Sequence, residues 1–160
     1  MLKRGYRIVA DDVCPINAGG HVIAGMPRIK IWQKSADLLG IDTSGMARIR
    51  PNFEKFNLPL IDTYCSEPRA VKAVIVLAQD NTPDVRIEDV TGKEKFQILR
   101  HNTFRPNFVT SMGLNTLHFK QVMAFASGIP VKCLTRPKLG DSISKVLDII
   151  ESLCHDVGRT

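Results

Sequence analysis

The run Val71-Lys72-Ala73-Val74-Ile75-Val76-Leu77 limits the possible folds of this chain more than any other segment. It is the most strongly apolar stretch and is rich in β-branched residues, the composition of a central strand covered on both faces. Residues 85–90 predict a second strand, and helical signals follow. Residues 91–100 open with a cap-like Thr91-x-x-Glu94, and residues 114–126 carry Leu117, Val122, Met123 and Phe125 at helical spacing. A strand is predicted over 130–134. The last helix, over 141–155, places Ile143, Val146, Leu147, Ile150 and Leu153 on one face and ends before Gly158.

The front of the chain reads differently. Residues 6–10 are a short β-prone run ending in Asp11-Asp12. Cys14-Pro15-Ile16, a Gly19-Gly20 turn and His21-Val22-Ile23 suggest a hairpin. Arg28-Ile29-Lys30-Ile31-Trp32 alternates charged and apolar residues with period two, as a strand with one buried face does. Residues 34–39, closed by Gly40, predict a short helix with a glycine stop. Residues 42–68 hold three of the nine prolines and read as loop. The expected architecture is a mixed α/β or α+β domain. With no internal repeat, low-complexity tract or long linker, residues 1–160 are expected to form one compact unit.

Composition narrows the function classes. At 160 residues, 44% hydrophobic and 24% charged, the chain has the make-up of a globular domain and not of a disordered or collagen-like one. Its apolar runs fall short of the roughly 20 residues that cross a bilayer, and residues 1–12 do not resemble a signal peptide. A cytoplasmic protein without a membrane span is expected. Cys14, Cys65, Cys133 and Cys154 lie far apart without zinc spacing, so free thiols are expected. The net charge of +6 favours anionic partners. The cations are scattered, however, and aromatics make up only 6%, so nucleic acid is not the expected partner.

The most informative chemistry is Ile8-Val9-Ala10-Asp11-Asp12. An apolar strand that delivers two carboxylates at its end has the physical form of a Walker B site, where carboxylate oxygens hold Mg²⁺ or accept a hydroxyl proton. Paired acids after a strand also often do no more than begin a turn. The sequence contains no G-x-x-x-x-G-K-[ST] loop.

Four segments in order, Leu2-x-x-Gly5-Tyr6-x-Ile8-Val9-Ala10-Asp11-Asp12-Val13, Pro27-Arg28-Ile29-Lys30-Ile31-Trp32, Arg50-Pro51-x-x-Glu54-Lys55 and His101-x-Thr103-Phe104-Arg105-Pro106, span nearly the whole chain. Together they resemble the C-terminal kinase domain of the HPr kinase/phosphorylase-like family. The resemblance implies a fold of the phosphoenolpyruvate carboxykinase type that binds ATP and Mg²⁺. It also implies phosphoryl transfer to a serine of a small protein or peptide. By position, Asp12 resembles the family's general base and Asp11 the residue that orients metal or water. The family's P-loop precedes this strand by one helix, and Leu2-Lys3-Arg4-Gly5 looks like the last turn of that helix. The expectation is therefore a domain lacking the P-loop strand and helix. Lys30 departs from the family pattern, standing in a region where the true HPr kinases offer a carboxylate to the metal. Relatives in the family assemble into multimers, which makes a homo-oligomer a further expectation.

Other candidates carry two readings each. Arg28 and Lys30, two residues apart on a strand, share a face and form either a phosphate clamp or a solvated charged face. Arg50, Lys55 and Arg105 suit phosphate or acidic-peptide binding, although each alone reads as a surface cation. His101 reads as a helix-end cap, while His118 and His155 spell no ligand pair. Trp32 reads as a core or rim aromatic, and Phe104 with Phe108 as packing. Two functions from different classes follow: a serine kinase domain, or a non-catalytic regulatory or binding module that keeps the kinase fold.

Overall fold

The computed structural model describes residues 1–156, with side chains described through residue 154. The predicted end of the last helix before Gly158 and the His155 side chain lie outside the described residues. The chain is mixed α+β, with five α-helices and several small sheets among the described residues. Its backbone divides into two compact units, Met1–Ala70 and Val71–Thr160, at a point where the sequence carries no linker. None of the described helices is long and apolar enough to cross a membrane.

In the first unit, a 3₁₀ turn at Leu2–Arg4 closes on Gly5. The expected strand over 6–10 reduces to one parallel bridge, Ile8 with Tyr64. Only a few backbone bonds are available to this run: the Ile8 N–H donates to Thr63 O and the Ile8 carbonyl accepts from Cys65 N–H, while Val9 O accepts from Gly25 N–H. The hairpin at 14–23 is present in reduced form. Ile16 bridges Val22, and Asn17 Oδ1 accepts from the Gly19 and His21 N–H groups across the turn. β1 (His21–Val22) pairs with β4 (Arg69–Ala70). β2 (Arg28–Trp32) forms as its alternation predicts and pairs antiparallel with β3 (Lys55–Pro59), which lies inside the segment expected to be loop. α1 (Gln33–Leu39) ends at Gly40, whose φ of 61° is the left-handed conformation a glycine stop requires. Ile31, Ala36 and Phe56 form this unit's small core, packed against Ile41, Met46 and Leu58.

The second unit is built on a three-stranded sheet in the order β5 (Val74–Asp80), β7 (Val131–Pro137), β6 (Arg86–Val90). β5 runs parallel to β7, and β6 antiparallel to it. The expectation that the 71–77 run is the central strand is therefore overturned. β7 is central and holds the two largest fully buried side chains, Val131 and Leu134, whereas β5 is an edge with Leu77 67% exposed. An apolar run reports hydrophobic demand but not which strand lies on either side of it. α2 (Gly92–His101) follows Thr91, whose side chain makes no capping hydrogen bond. α3 (Pro106–Ser111) escapes the sequence reading because six residues carry too short a pattern. α4 (Asn115–Gly128) and α5 (Ile143–Asp156) fall close to their predicted ranges. All four cysteines are free thiols, with Cys65 buried.

Candidate functional site

The site is assembled from the ends of irregular backbone. The hydrogen bonds that hold Ile8 and Val9 to residues 63–65 and to Gly25 aim the chain so that Asp11 and Asp12 emerge beside β2. The Tyr64 hydroxyl adds a bond to Gly25 O at 2.6 Å, tying the same three segments together. Lys30, in the middle of β2, receives both acids. Its backbone N–H donates to Asp11 Oδ2 at 3.1 Å, and its ammonium lies 2.8 Å from Asp12 Oδ2 and 3.9 Å from Asp11 Oδ2.

These contacts set the protonation of the pair. The hydrogen bond from Lys30 holds the Asp12 carboxyl below the usual carboxylate range; slight burial opposes it, and the charges of Lys30 and Lys55 reinforce it. The same bond raises the Lys30 ammonium above its ordinary value, with Asp12 and Asp11 adding to the effect and neighbouring Arg28 opposing it. At neutral pH the site therefore holds an ionised Asp12 against a charged Lys30. The Asp12 side chain remains 55% exposed, so the pair faces solvent and is open to an incoming group.

The antiparallel register of β2 and β3 places the remaining cations. Residues directly opposite share a face, and alternation sends Ile29, Ile31, Phe56 and Leu58 to the core side. Arg28, Lys30 and Trp32, with Lys55 opposite Trp32, occupy the other face. Arg50, in the turn before β3, lays its guanidinium over Phe53. Of the seven residues singled out in the sequence, Asp11, Asp12, Arg28, Lys30, Arg50 and Lys55 all belong to the first unit.

Arg105 belongs to the second unit. It precedes α3 with φ 49° and ψ 61°, the only non-glycine residue with positive φ among those described. Its guanidinium lies over the rings of both Phe104 and Phe108, 5.2 and 5.5 Å from their centroids. These rings are more than half exposed, so they contact a cation and do not fill a core. Nearby, His118 Nε2 lies 3.0 Å from Thr103 Oγ1. His101 and His118 line a cavity of about 390 Å³, and a larger one of about 510 Å³ lies where β5 and β7 end.

Two features escaped the sequence reading. Phe53 lies beside Trp32, with ring centroids 6.3 Å apart. Lys30 bonds both acids at once. Neither leaves a local signal, because each depends on pairing between segments about 20 residues apart. No group of three or more His, Cys, Asp or Glu side chains is arranged to hold a metal among the described residues. The donor chemistry of Asp11 and Asp12 nonetheless suits Mg²⁺, which often takes only one or two carboxylates and completes its shell with water and phosphate oxygens. Comparison of the chain with protein-family models, with curated proteins and with solved structures gives no match.

Proposed function

We propose that the Asp11–Asp12–Lys30 cluster is the working end of an ATP-dependent serine kinase domain of the HPr kinase-like type, acting on a serine of a small protein or peptide. The architecture that goes with this reading is the phosphoenolpyruvate carboxykinase type. The observation that carries it is the 2.8 Å contact between Lys30 Nζ and Asp12 Oδ2, with Asp11 fixed by the Lys30 N–H. A base for a serine hydroxyl must be ionised, positioned and reachable, and Asp12 meets all three conditions. It would take the hydroxyl proton as the serine oxygen bonds to the terminal phosphorus of ATP and the bond to the bridging oxygen breaks, releasing ADP. The Lys30 ammonium has three N–H donors and can serve Asp12 and a phosphoryl oxygen together. Asp11 would hold Mg²⁺, which when bound neutralises charge on the transferring phosphates. Arg28, Arg50 and Lys55 supply further cations in the same unit.

A second reading is favoured by the same contact. A carboxylate held below its usual range by an ammonium is a weak base, and its charge is already neutralised. On that reading the domain is a regulatory or binding module. Calorimetric titration of Mg-ATP into the chain, followed by phosphate transfer to a serine peptide, separates the two. The kinase reading expects saturable binding lost in the Asp11→Asn/Asp12→Asn double variant, and transfer lost in Asp12→Asn. A folded chain that binds no Mg-ATP, or that transfers phosphate unimpaired as Asp12→Asn, overturns it.

A further inference from the structure

Phosphoryl transfer makes no use of the aromatic rings in the first unit, yet they are placed with care. Trp32 ends β2 on the face away from the Ile31–Phe56 core, and Phe53 comes back beside it from the turn before β3. The two ring centroids are 6.3 Å apart with planes at 41°. Both rings face water, Trp32 at 48% exposure and Phe53 at 44%. Each carries a cation: the Lys55 ammonium lies 5.2 Å from the Trp32 centroid, and the Arg50 guanidinium 5.7 Å from that of Phe53. Arg28 lies on the same strand face.

A solvated charged face accounts for the cations but not for two large rings kept out of the core on the same face. An acidic peptide would use the cations and leave the rings idle. A partner with flat apolar surfaces joined by regularly spaced negative charges uses both. We propose that this face binds single-stranded nucleic acid, with bases stacking on Trp32 and Phe53 and phosphates held by Lys55, Arg50 and Arg28. Stacking on aromatic side chains is tolerant of sequence because every base presents a π-face, and the cations over the rings put phosphate donors within one side chain of the stacking surface. Lys30 adds little to the attraction, because Asp12 already neutralises it. The cations that look scattered along the sequence at positions 28, 50 and 55 are gathered by the β2–β3 pairing.

This inference does not depend on phosphoryl transfer, and its test contains no ATP. Trp32 is the only tryptophan in the chain, so its fluorescence reports directly on the proposed surface. Titrating oligo(dT) or oligo(U) into the full chain should quench Trp32 saturably. The log–log dependence of affinity on salt should have a slope of about −2, the value for three phosphate contacts on a single strand. Phe53→Ala should weaken binding about tenfold or more. Arg50→Gln with Lys55→Gln should flatten the salt dependence while the circular dichroism spectrum is retained. Polyglutamate and inorganic polyphosphate supply charge without bases, and neither should compete at equal charge concentration. Three results overturn the proposal: no oligonucleotide binding by the folded chain, binding without a change at Trp32, or equal competition by polyglutamate, which would assign the face to acidic peptides.

Discussion

The two units of the chain stabilise themselves in different ways. In Val71–Thr160, three strands of five to seven residues form one ladder, and Val131 and Leu134 are 1% and 0% exposed at its centre. In Met1–Ala70, two strands have only two residues each, a third expected strand is a single bridge, and the buried apolar side chains are Ile31, Ala36 and Phe56 in one cluster with Leu60 and Cys65 outside it. Regular pairing satisfies backbone groups without side chains, so the second unit can devote its residues to packing. The first unit holds irregular backbone together with particular bonds, such as Tyr64 to Gly25 O and Lys30 N–H to Asp11, and it carries six of the seven candidate residues. Irregular backbone lets chemistry-bearing side chains converge.

Core truncation gives the largest expected effect. Leu134→Ala should destabilise the second unit by about 3 kcal/mol or more, since it empties a fully buried site in the central strand. It is measured as the urea midpoint of helical circular dichroism. Trp32 fluorescence recorded in the same titration sharpens the comparison if its midpoint stays, and breaks it if both fall together. Next comes Phe56→Ala in the Ile31–Ala36–Phe56 cluster, expected at about 2–3 kcal/mol and seen by Trp32 fluorescence. A smaller loss would mean that the first unit depends even less on its core than its burial suggests. Gly40→Ala places a side chain in the left-handed region and should cost about 1 kcal/mol in a thermal melt.

The smallest effect belongs to the exposed Lys30–Asp12 pair, and it is best read through pH. The carboxyl of Asp12 is depressed by folding, so its contribution is present above its unfolded value, about pH 4, and is lost as pH falls through the lower folded value. Lys30 is raised, so its contribution is present below its unfolded value, about pH 10, and is lost as pH rises through the higher folded one. Lys30→Met should therefore cost a small amount of stability at neutrality that disappears as pH falls below about 4, which flattens the acid limb of a stability-against-pH curve. A large loss of stability at pH 7 would make the pair a fold determinant and blur the contrast between the units.

Local order was legible wherever one segment settled its own state. Alternation at 28–32 identified β2, Gly40 marked the end of α1, and apolar spacing identified α4 and α5 within a few residues. The failures have a common cause. Residues 55–59 sit among prolines and asparagines and become β3 only because β2 presents a free edge to them. Residues 6–10 have strand composition yet pair as strand at a single point, the Ile8–Tyr64 bridge, so no ladder forms. The 71–77 run has central-strand composition, but sheet order is a property of all three strands at once.

The sequence by itself determined the mixed α/β or α+β fold class, the helices α1, α2, α4 and α5, the strand face shared by Arg28 and Lys30, and the carboxylate pair at 11 and 12. Each of these depends on residue type and on periods of two or 3.6, which act over one or two turns of chain. Tertiary structure alone decided that Lys30 would hold both acids, that β7 and not β5 would be central, and that Trp32, Phe53, Arg50 and Lys55 would form one surface. Those outcomes require residues about 20 to 60 positions apart to meet. Which distant segments meet is set by how the whole chain satisfies its backbone bonds and buries its apolar surface, and no local pattern encodes that.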